Sequence, residues 1–286
     1  MRLLILGHPD FVEHKRLMDE ARLTGHTATV APVEDLAFEF SKSGFIVTLA
    51  GRNLLDSFDG LLFRSLFPYV SESLLLAELF HRSGYRIMDQ SLATGIYIQS
   101  KTYSAWKLQL AGLPVPYGLQ TNSPAEIRDH LNRTTWPIIV KSVHGSKGER
   151  VHLAKNRHEA EEVLSIENEW PCLLQEKLEI KNEYRILVLG FHALGAVSKE
   201  PPVGDFRRNL SLGGRAELVN LPTKTLEMCE LAAKILGYEF AGVDLAETKD
   251  GRKVILEVNR TPGFSGFELA TGINIARKVI DYLINN

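Results

Sequence analysis

The 286-residue chain carries 33 Lys and Arg against 35 Asp and Glu, a formal charge of −2 with neutral histidines, and 44% of its residues are hydrophobic. That is the make-up of an ordinary soluble globular protein, long enough for a large core and more than one domain. The charge balance, without a Lys/Arg block, argues against bulk nucleic-acid binding, and no segment approaches membrane-spanning length. The N-terminus, MRLLILGHPD, has too short an apolar run before Gly7 for a signal peptide. Cys172 and Cys229 are lone, without a CxxC or His partner pattern, and read as small buried hydrophobes in a reducing cytoplasm.

Residues 1–95 read as an α/β unit. Leu3–Leu6, Thr27–Ala31, Gly60–Phe63 and Tyr85–Met88 are short strands, and Asp10–Leu23 and Ser71–Arg82 are helices. Alternation of this kind implies a mostly parallel sheet. His8 and Pro9 follow the first strand, where open α/β sheets bind ligands, but no GxGxxG supports a dinucleotide site. Arg64 ends a strand in the same way and fits either an anionic substrate or a surface salt bridge.

Residues 96–177 form a second, smaller unit. A helical pattern runs from Ser91 to Gly112, includes Lys101, and is stopped by Leu113-Pro-Val-Pro-Tyr117. Ser123 then caps a helix that has Pro124 at its first position. Trp136–Lys141 and Val151–Ala154 are strands around the loop His144-Gly-Ser-Lys-Gly148; Asn156–Ser165 is helical and Cys172–Glu176 extended. Gly145, Ser146 and Gly148 expose backbone N–H groups suited to phosphate oxygens, although the P-loop spacing is absent and a loop of this kind, taken alone, is most often a plain hairpin turn. Lys141, at the end of an apolar strand, needs an anion for its head group.

Residues 178–286 make the third unit. Tyr184–Leu189 and Phe191–Ser198 form a hairpin across Gly190, Asp205–Gly214 is a polar loop with paired arginines, and Thr223–Leu236 and Thr271–Ile284 are helices. Between these helices lies FAGVDLAETKDGRKVILEVNRTPG, two alternating strands about Asp250-Gly251, a two-residue hairpin signal. That turn places Asp244 directly opposite Glu257, and Asn259 shares their face because side chains alternate along a strand. Val243, Leu245, Val254, Leu256 and Val258 are expected on the opposite, apolar face. Two carboxylates and an amide within roughly 5 Å of one another form a hard-oxygen set suited to Mg²⁺.

Lys101, PIIVKSVHGSKG, LLQE at 173–176, EYR at 183–185, GDFRRNLSLGG at 204–214, GVD at 242–244 and EVNRTPGFSGFE at 257–268 occur in one order across nearly the whole chain. In that order and spacing the sequence resembles the ATP-grasp ligases, most closely the RimK-type amino-acid (α-L-glutamate) ligases, with LysX-type ligases next. The resemblance implies an α/β ATP-grasp fold, α+β in its C-terminal part, behind an N-terminal Rossmann-like preATP-grasp domain at 1–95. A central small domain at 96–177 and a C-terminal domain at 178–286 would then clamp ATP between them.

The resemblance also implies roles. Lys101 and Lys141 contact ATP phosphates, and the loop with Gly145, Ser146 and Gly148 closes over them. Gln175, Glu176 and Leu178 line the adenine pocket, and Glu183 takes the ribose. Arg207, Arg208 and Asn209 lie near the triphosphate, with Arg185, Arg208 and Asn209 serving the reacting groups. Asp244, Glu257 and Asn259 hold two Mg²⁺ ions, for which Mn²⁺ can substitute.

The implied reaction is ATP-dependent amide formation through an acyl phosphate, adding glutamate to a protein C-terminus, a carrier protein or a coenzyme. A cytoplasmic homo-oligomer without nucleic-acid or membrane partners is expected. Two alternatives stand beside it: a LysX-like ligase acting on a carrier protein, and a non-catalytic ATP-binding regulator, which should have lost a metal ligand or a phosphate lysine. Arg260 and Thr261 depart from the small residue and serine common at these positions in the family. Arg260 fits either an exposed loop cation or a carboxylate-binding role.

Overall fold

The computed structural model describes residues 1–285 except 43, 99, 143–150, 168–171 and 201–214. Chain order begins β1 (Arg2–Leu6), α1 (Val12–Leu23), β2 (Thr27–Ala31), β3 (Leu36–Ser41), β4 (Gly44–Leu49), β5 (Arg52–Asn53), α2 (Leu54–Ser57), β6 (Gly60–Phe63), α3 (Val70–Arg82) and β7 (Arg86–Ile87). Strands β2-β1-β6-β7 form the expected parallel sheet. Leu3–Leu6 of β1 and all of β6 are apolar because both their faces are covered. Leu3, Ile5 and Leu62 enter one core, while Leu4, Leu6, Leu61 and Phe63 enter another. The antiparallel meander β3-β4-β5 is passed over by the sequence reading, although Leu36-Ala-Phe-Glu-Phe40 alternates with period two.

The helical pattern at 91–112 is broken in the structure: a 3₁₀ turn ends at Gly95, which takes φ +72°, and helix α4 (Lys101–Leu110) starts afresh. Next come β8 (Gly118–Thr121), α5 (Pro124–Arg133), β9 (Ile138–Ser142), β10 (Val151–Ala154), α6 (Arg157–Glu167) and β11 (Cys172–Glu176). The strands form an antiparallel sheet in the order β10-β9-β11-β8. Ser123 caps α5 as expected, its hydroxyl accepting from Glu126 N at 3.3 Å. Ile127, Leu131 and Ala160 of the two helices pack on Ile138, Val140 and Leu174 of the sheet.

The chain ends with β12 (Ile180–Leu189), β13 (His192–Glu200), β14 (Arg215–Val219), α7 (Thr223–Leu236), β15 (Phe240–Thr248), β16 (Lys253–Asn259), α8 (Ser265–Thr271) and α9 (Ile275–Asn285). The helix expected over Thr271–Ile284 starts instead at Ile275, and a separate short helix, α8, ends at Thr271 before Gly272 takes φ +70°. Strands β14-β13-β12-β15-β16 form one antiparallel sheet. Its first face lies under α7 and α4, with Tyr184, Ile186, Val188, Cys229, Val243 and Leu108 in one core. On its second face Leu187, Leu189 and Phe240 join α9, α1 and the parallel sheet. Both cysteines are free and buried, and among the described residues no helix is long and apolar enough to cross a membrane.

The β15–β16 hairpin corrects the sequence reading in one respect. Thr248 N donates to Arg252 O, so the turn is the three-residue loop Lys249-Asp250-Gly251 with Gly251 at φ +86°, not a two-residue turn. Near the turn the register is therefore shifted by one, pairing Leu245 with Ile255 and Ala246 with Val254. A bulge at Leu256 restores the expected register beyond it, pairing Asp244 with Glu257. The apolar faces change accordingly. Ile255 joins Val243, Leu245 and Val258 in the core, whereas Val254 and Leu256 pack with Leu178 and Ala246 on the other side.

Candidate active site

On the second face of the large sheet, the register sets charge at one end and leucine at the other. Leu189 and Leu187 of β12 sit in the core; two and four residues earlier, Arg185 and Glu183 share their face by alternation. Pairing places Asp244 beside Arg185 on one side and Glu257 on the other. Asn259, opposite Gly242, ends β16 on the same face. These positions match the sequence expectation, although the turn that was to produce them differs.

Asp244 is buried and bound at both oxygens: Arg185 donates from Nε at 2.9 Å and Nη2 at 2.7 Å, and Lys199 Nζ lies 3.3 Å away. The same Lys199 donates to Glu183 at 2.6 Å. Burial alone pushes the Asp244 carboxyl up, but Arg185 and Lys199 overcome this and bring its pKa down to about 2. For Lys199, burial opposes the charge; Asp244 and Glu183 outweigh it, and its pKa is raised. Two cations and two carboxylates thus compensate one another out of water.

A folded-state pKa below the ordinary 3.8 means that Asp244 stabilises the fold fully above about pH 4, and that this contribution disappears as pH falls through about 2. Acid unfolding of Asp244→Asn, followed by circular dichroism, should be less steep over that window than wild type. Identical acid limbs would contradict the pairing.

Lys199 is the residue that sequence reasoning missed. Its one sequence signal is that of Lys141, a lysine at the end of a strand, without a neighbouring glycine-rich loop. Only the pairing of β13 with β12 carries it to Glu183 and Asp244.

Across from this network, Lys141 on β9 donates to Gln175 Oε1 of β11 at 2.6 Å, because the two strands are antiparallel neighbours. Burial lowers the Lys141 pKa; Glu257 and Glu183 raise it and Lys101 lowers it further. Those couplings place Lys141 near both carboxylates and near Lys101, at the start of α4. Glu176 accepts from Tyr117 N at 2.9 Å, and Leu178 is buried with Ala246 and Val254 beneath the site. Gly145, Ser146, Gly148, Arg207, Arg208 and Asn209 lie outside the described residues.

Glu257, unlike Asp244, is exposed and accepts no hydrogen bond among the described residues. Among these residues no cluster of three or more His, Cys, Asp or Glu could by itself hold a metal. Two carboxylates and an amide, all hard oxygen donors, instead match the sparse protein coordination of a Mg²⁺ that shares its shell with phosphate oxygens and water. The residues present fit such an ion.

Two residues left open by the sequence are resolved in unexpected ways. Arg64 is no surface salt bridge: its guanidinium is buried, donates from Nη2 to Pro262 O at 2.8 Å, and lies 5.6 Å from the ring centres of both Phe240 and Phe264. Burial pushes its pKa down to about 10, against the pull of Glu13 and Asp89. Nor is Arg260 an exposed cation. Its side chain is 11% exposed, pairs with Asp89 at 3.1 Å and stacks 4.2 Å from the Tyr238 ring centre.

Two antiparallel sheets, one bearing Lys141 and the other the hairpin carboxylate to which it couples, are the arrangement of the ATP-grasp enzymes. Residues 99–283 match the RimK-like ATP-grasp domain, and the chain belongs to that family. It is 30% identical over 294 residues to a probable α-L-glutamate ligase of Legionella pneumophila, covering 99% of this chain and 95% of that protein. Among solved structures it resembles the ATP-grasp ligase PsnB complexed with a phosphomimetic variant of minimal precursor, Mg and ADP. That match has TM-score 0.78 and 22% identity, over 99% of this chain and 97% of the other. The macrocyclase MdnC of Microcystis aeruginosa, bound with precursor peptide MdnA, follows at TM-score 0.74 and 16% identity, covering 100% and 99%. The protein is an ATP-dependent ligase of the ATP-grasp fold.

Proposed function

We propose that the enzyme joins the amino group of glutamate to a carboxylate acceptor, activating the acceptor as an acyl phosphate at the expense of ATP. The observation that carries this reading is the exposed Glu257 carboxylate, which accepts no hydrogen bond among the described residues, electrostatically coupled to Lys141 and to Arg185 of the buried Asp244–Arg185–Lys199 network. In the first step a carboxylate oxygen attacks the γ-phosphorus and ADP leaves; in the second the amine displaces phosphate from the acyl carbon. Two anions must approach in the first step, so the site has to offset their repulsion. Lys101 and Lys141 would hold phosphate oxygens, Leu178 with Ala246 and Val254 would form the apolar floor under adenine, and Glu183 would meet the ribose. Asp244, Glu257 and Asn259 would hold Mg²⁺, which supplies charge to the transferring phosphoryl group. Arg185 keeps Asp244 ionised and oriented.

The glutamate assignment is supported by the naming of the 30%-identical relative. Known ligands of the structural neighbours, a precursor peptide among them, support a peptide carboxylate as acceptor. ADP release should be measured with each of the twenty amino acids, in the presence and absence of a peptide ending in glutamate. Peptide-dependent ADP release that requires glutamate is expected. Equal turnover with other amino acids would remove glutamate from the reading, and no turnover with any substrate would favour a non-catalytic ATP-binding protein.

A further inference from the structure

The segment that follows Asn259 is tied to the N-terminal unit at three successive points. Arg260 Nη1 meets Asp89 Oδ2 at 3.1 Å and Ser91 Oγ at 3.3 Å. Pro262 O accepts from Arg64 Nη2 at 2.8 Å. Ser265, at the start of α8, donates from Oγ to Glu13 Oε1 at 2.7 Å and from N at 3.4 Å. Arg64 and Asp89 lie just beyond the C-terminal ends of β6 and β7, and Glu13 lies in the first turn of α1, the helix that follows β1.

The anchor points are themselves fixed. Asp89 stands at φ +61°, accepts from Glu239 N at 2.6 Å, and donates from its own N to Glu239 Oε2 at 3.0 Å. Among the described residues Arg64 keeps two buried nitrogens, Nε and Nη1, without a hydrogen-bond partner, and its cost of burial is offset by Pro262 O, the two aromatic rings and more distant carboxylates. On its other side the segment packs against the sheet itself: a Cβ at Gly242 would come within 2.8 Å of Pro262 Cβ. Gly242 is the residue paired with Asn259. The segment is therefore held from both sides immediately beyond Asn259.

We propose that Asp89 and Arg64, acting through Arg260 and Pro262, are positioning residues that set the place of Asn259 and thereby the metal affinity of the site. This rests on the reading of Asp244, Glu257 and Asn259 as metal ligands. It gives the N-terminal unit a part in the phosphate chemistry even though none of its residues need touch the metal. Groups that orient a ligand without binding the ion typically change affinity by about 10–100-fold when lost.

The test is binding, not turnover. Affinity for a non-hydrolysable ATP analogue is measured by calorimetry over a range of free Mg²⁺, and again without Mg²⁺. Arg260→Ala should raise the half-saturating Mg²⁺ by about tenfold and leave Mg²⁺-free nucleotide binding unchanged. Arg260→Lys should recover part of the loss. Adding Asp89→Asn to Arg260→Ala should cost little more, since both act through one contact. Should Arg260→Ala fail to fold, Arg260→Lys and Asp89→Asn carry the measurement alone. Folded variants with a Mg²⁺ requirement within twofold of wild type overturn the proposal. Glu257→Gln is the control: if it too leaves the Mg²⁺ requirement unchanged, the metal reading fails; if it alone raises it, only the positioning role fails.

Discussion

Glu257→Gln should lower kcat by about 10²–10³-fold, the loss typical of removing one preorganised charge-stabilising group. The melting temperature should stay within about 2 °C of wild type, because the side chain is exposed and accepts no hydrogen bond among the described residues. The substitution keeps shape and removes charge, and the core face of the hairpin, carried by Val243, Leu245, Ile255 and Val258, is untouched. Steady-state kinetics at saturating ATP and ordinary Mg²⁺, beside a calorimetric melt, decide it. Near-normal turnover would count against the role assigned to Glu257.

Asp244→Ala should behave in the opposite way. Asp244 is buried between Arg185 and Lys199, and truncating it leaves two cations facing each other without their shared counter-charge. Breaking a buried pair by removing one partner costs about 3–5 kcal/mol. In a protein of this size that lowers the melting temperature by roughly 10 °C. Activity should vanish as well, but stability distinguishes the two carboxylates. A melt unchanged by Asp244→Ala would mean that the Arg185–Asp244 pair contributes nothing net to the fold. Thus two residues directly opposite each other on a hairpin answer to different constraints, one to chemistry and the other to folding as well.

Much of the site was legible locally. Asp244, Glu257 and Asn259 share a face because side chains alternate and because Asp-Gly marks a reversal, and both are properties of a few neighbouring residues. The cap at Ser123 and the all-parallel first sheet were readable for the same reason. The turn was misjudged by one residue, and only a compensating bulge at Leu256 left the site register as expected. Bulges depend on how a strand must bend to cover its neighbours, which hydrophobic alternation does not encode. So the partition of Val254, Leu256 and Ile255 between core and site floor was misread.

The sequence by itself determined the family, the order of strands and helices in the first sheet, and the residue types the chemistry needs, since each rests on short-range patterns and motif spacing. What only the tertiary structure decided is which charges meet. Lys199 reaches Asp244 through a strand pairing, Arg64 is buried against Pro262 some 198 positions away in the chain, and Arg260 closes on Asp89. A charged side chain reads alike in sequence whether it ends in water or in the interior. Its fate is set by burial and by the partner that burial demands, and that partner comes from a different part of the chain.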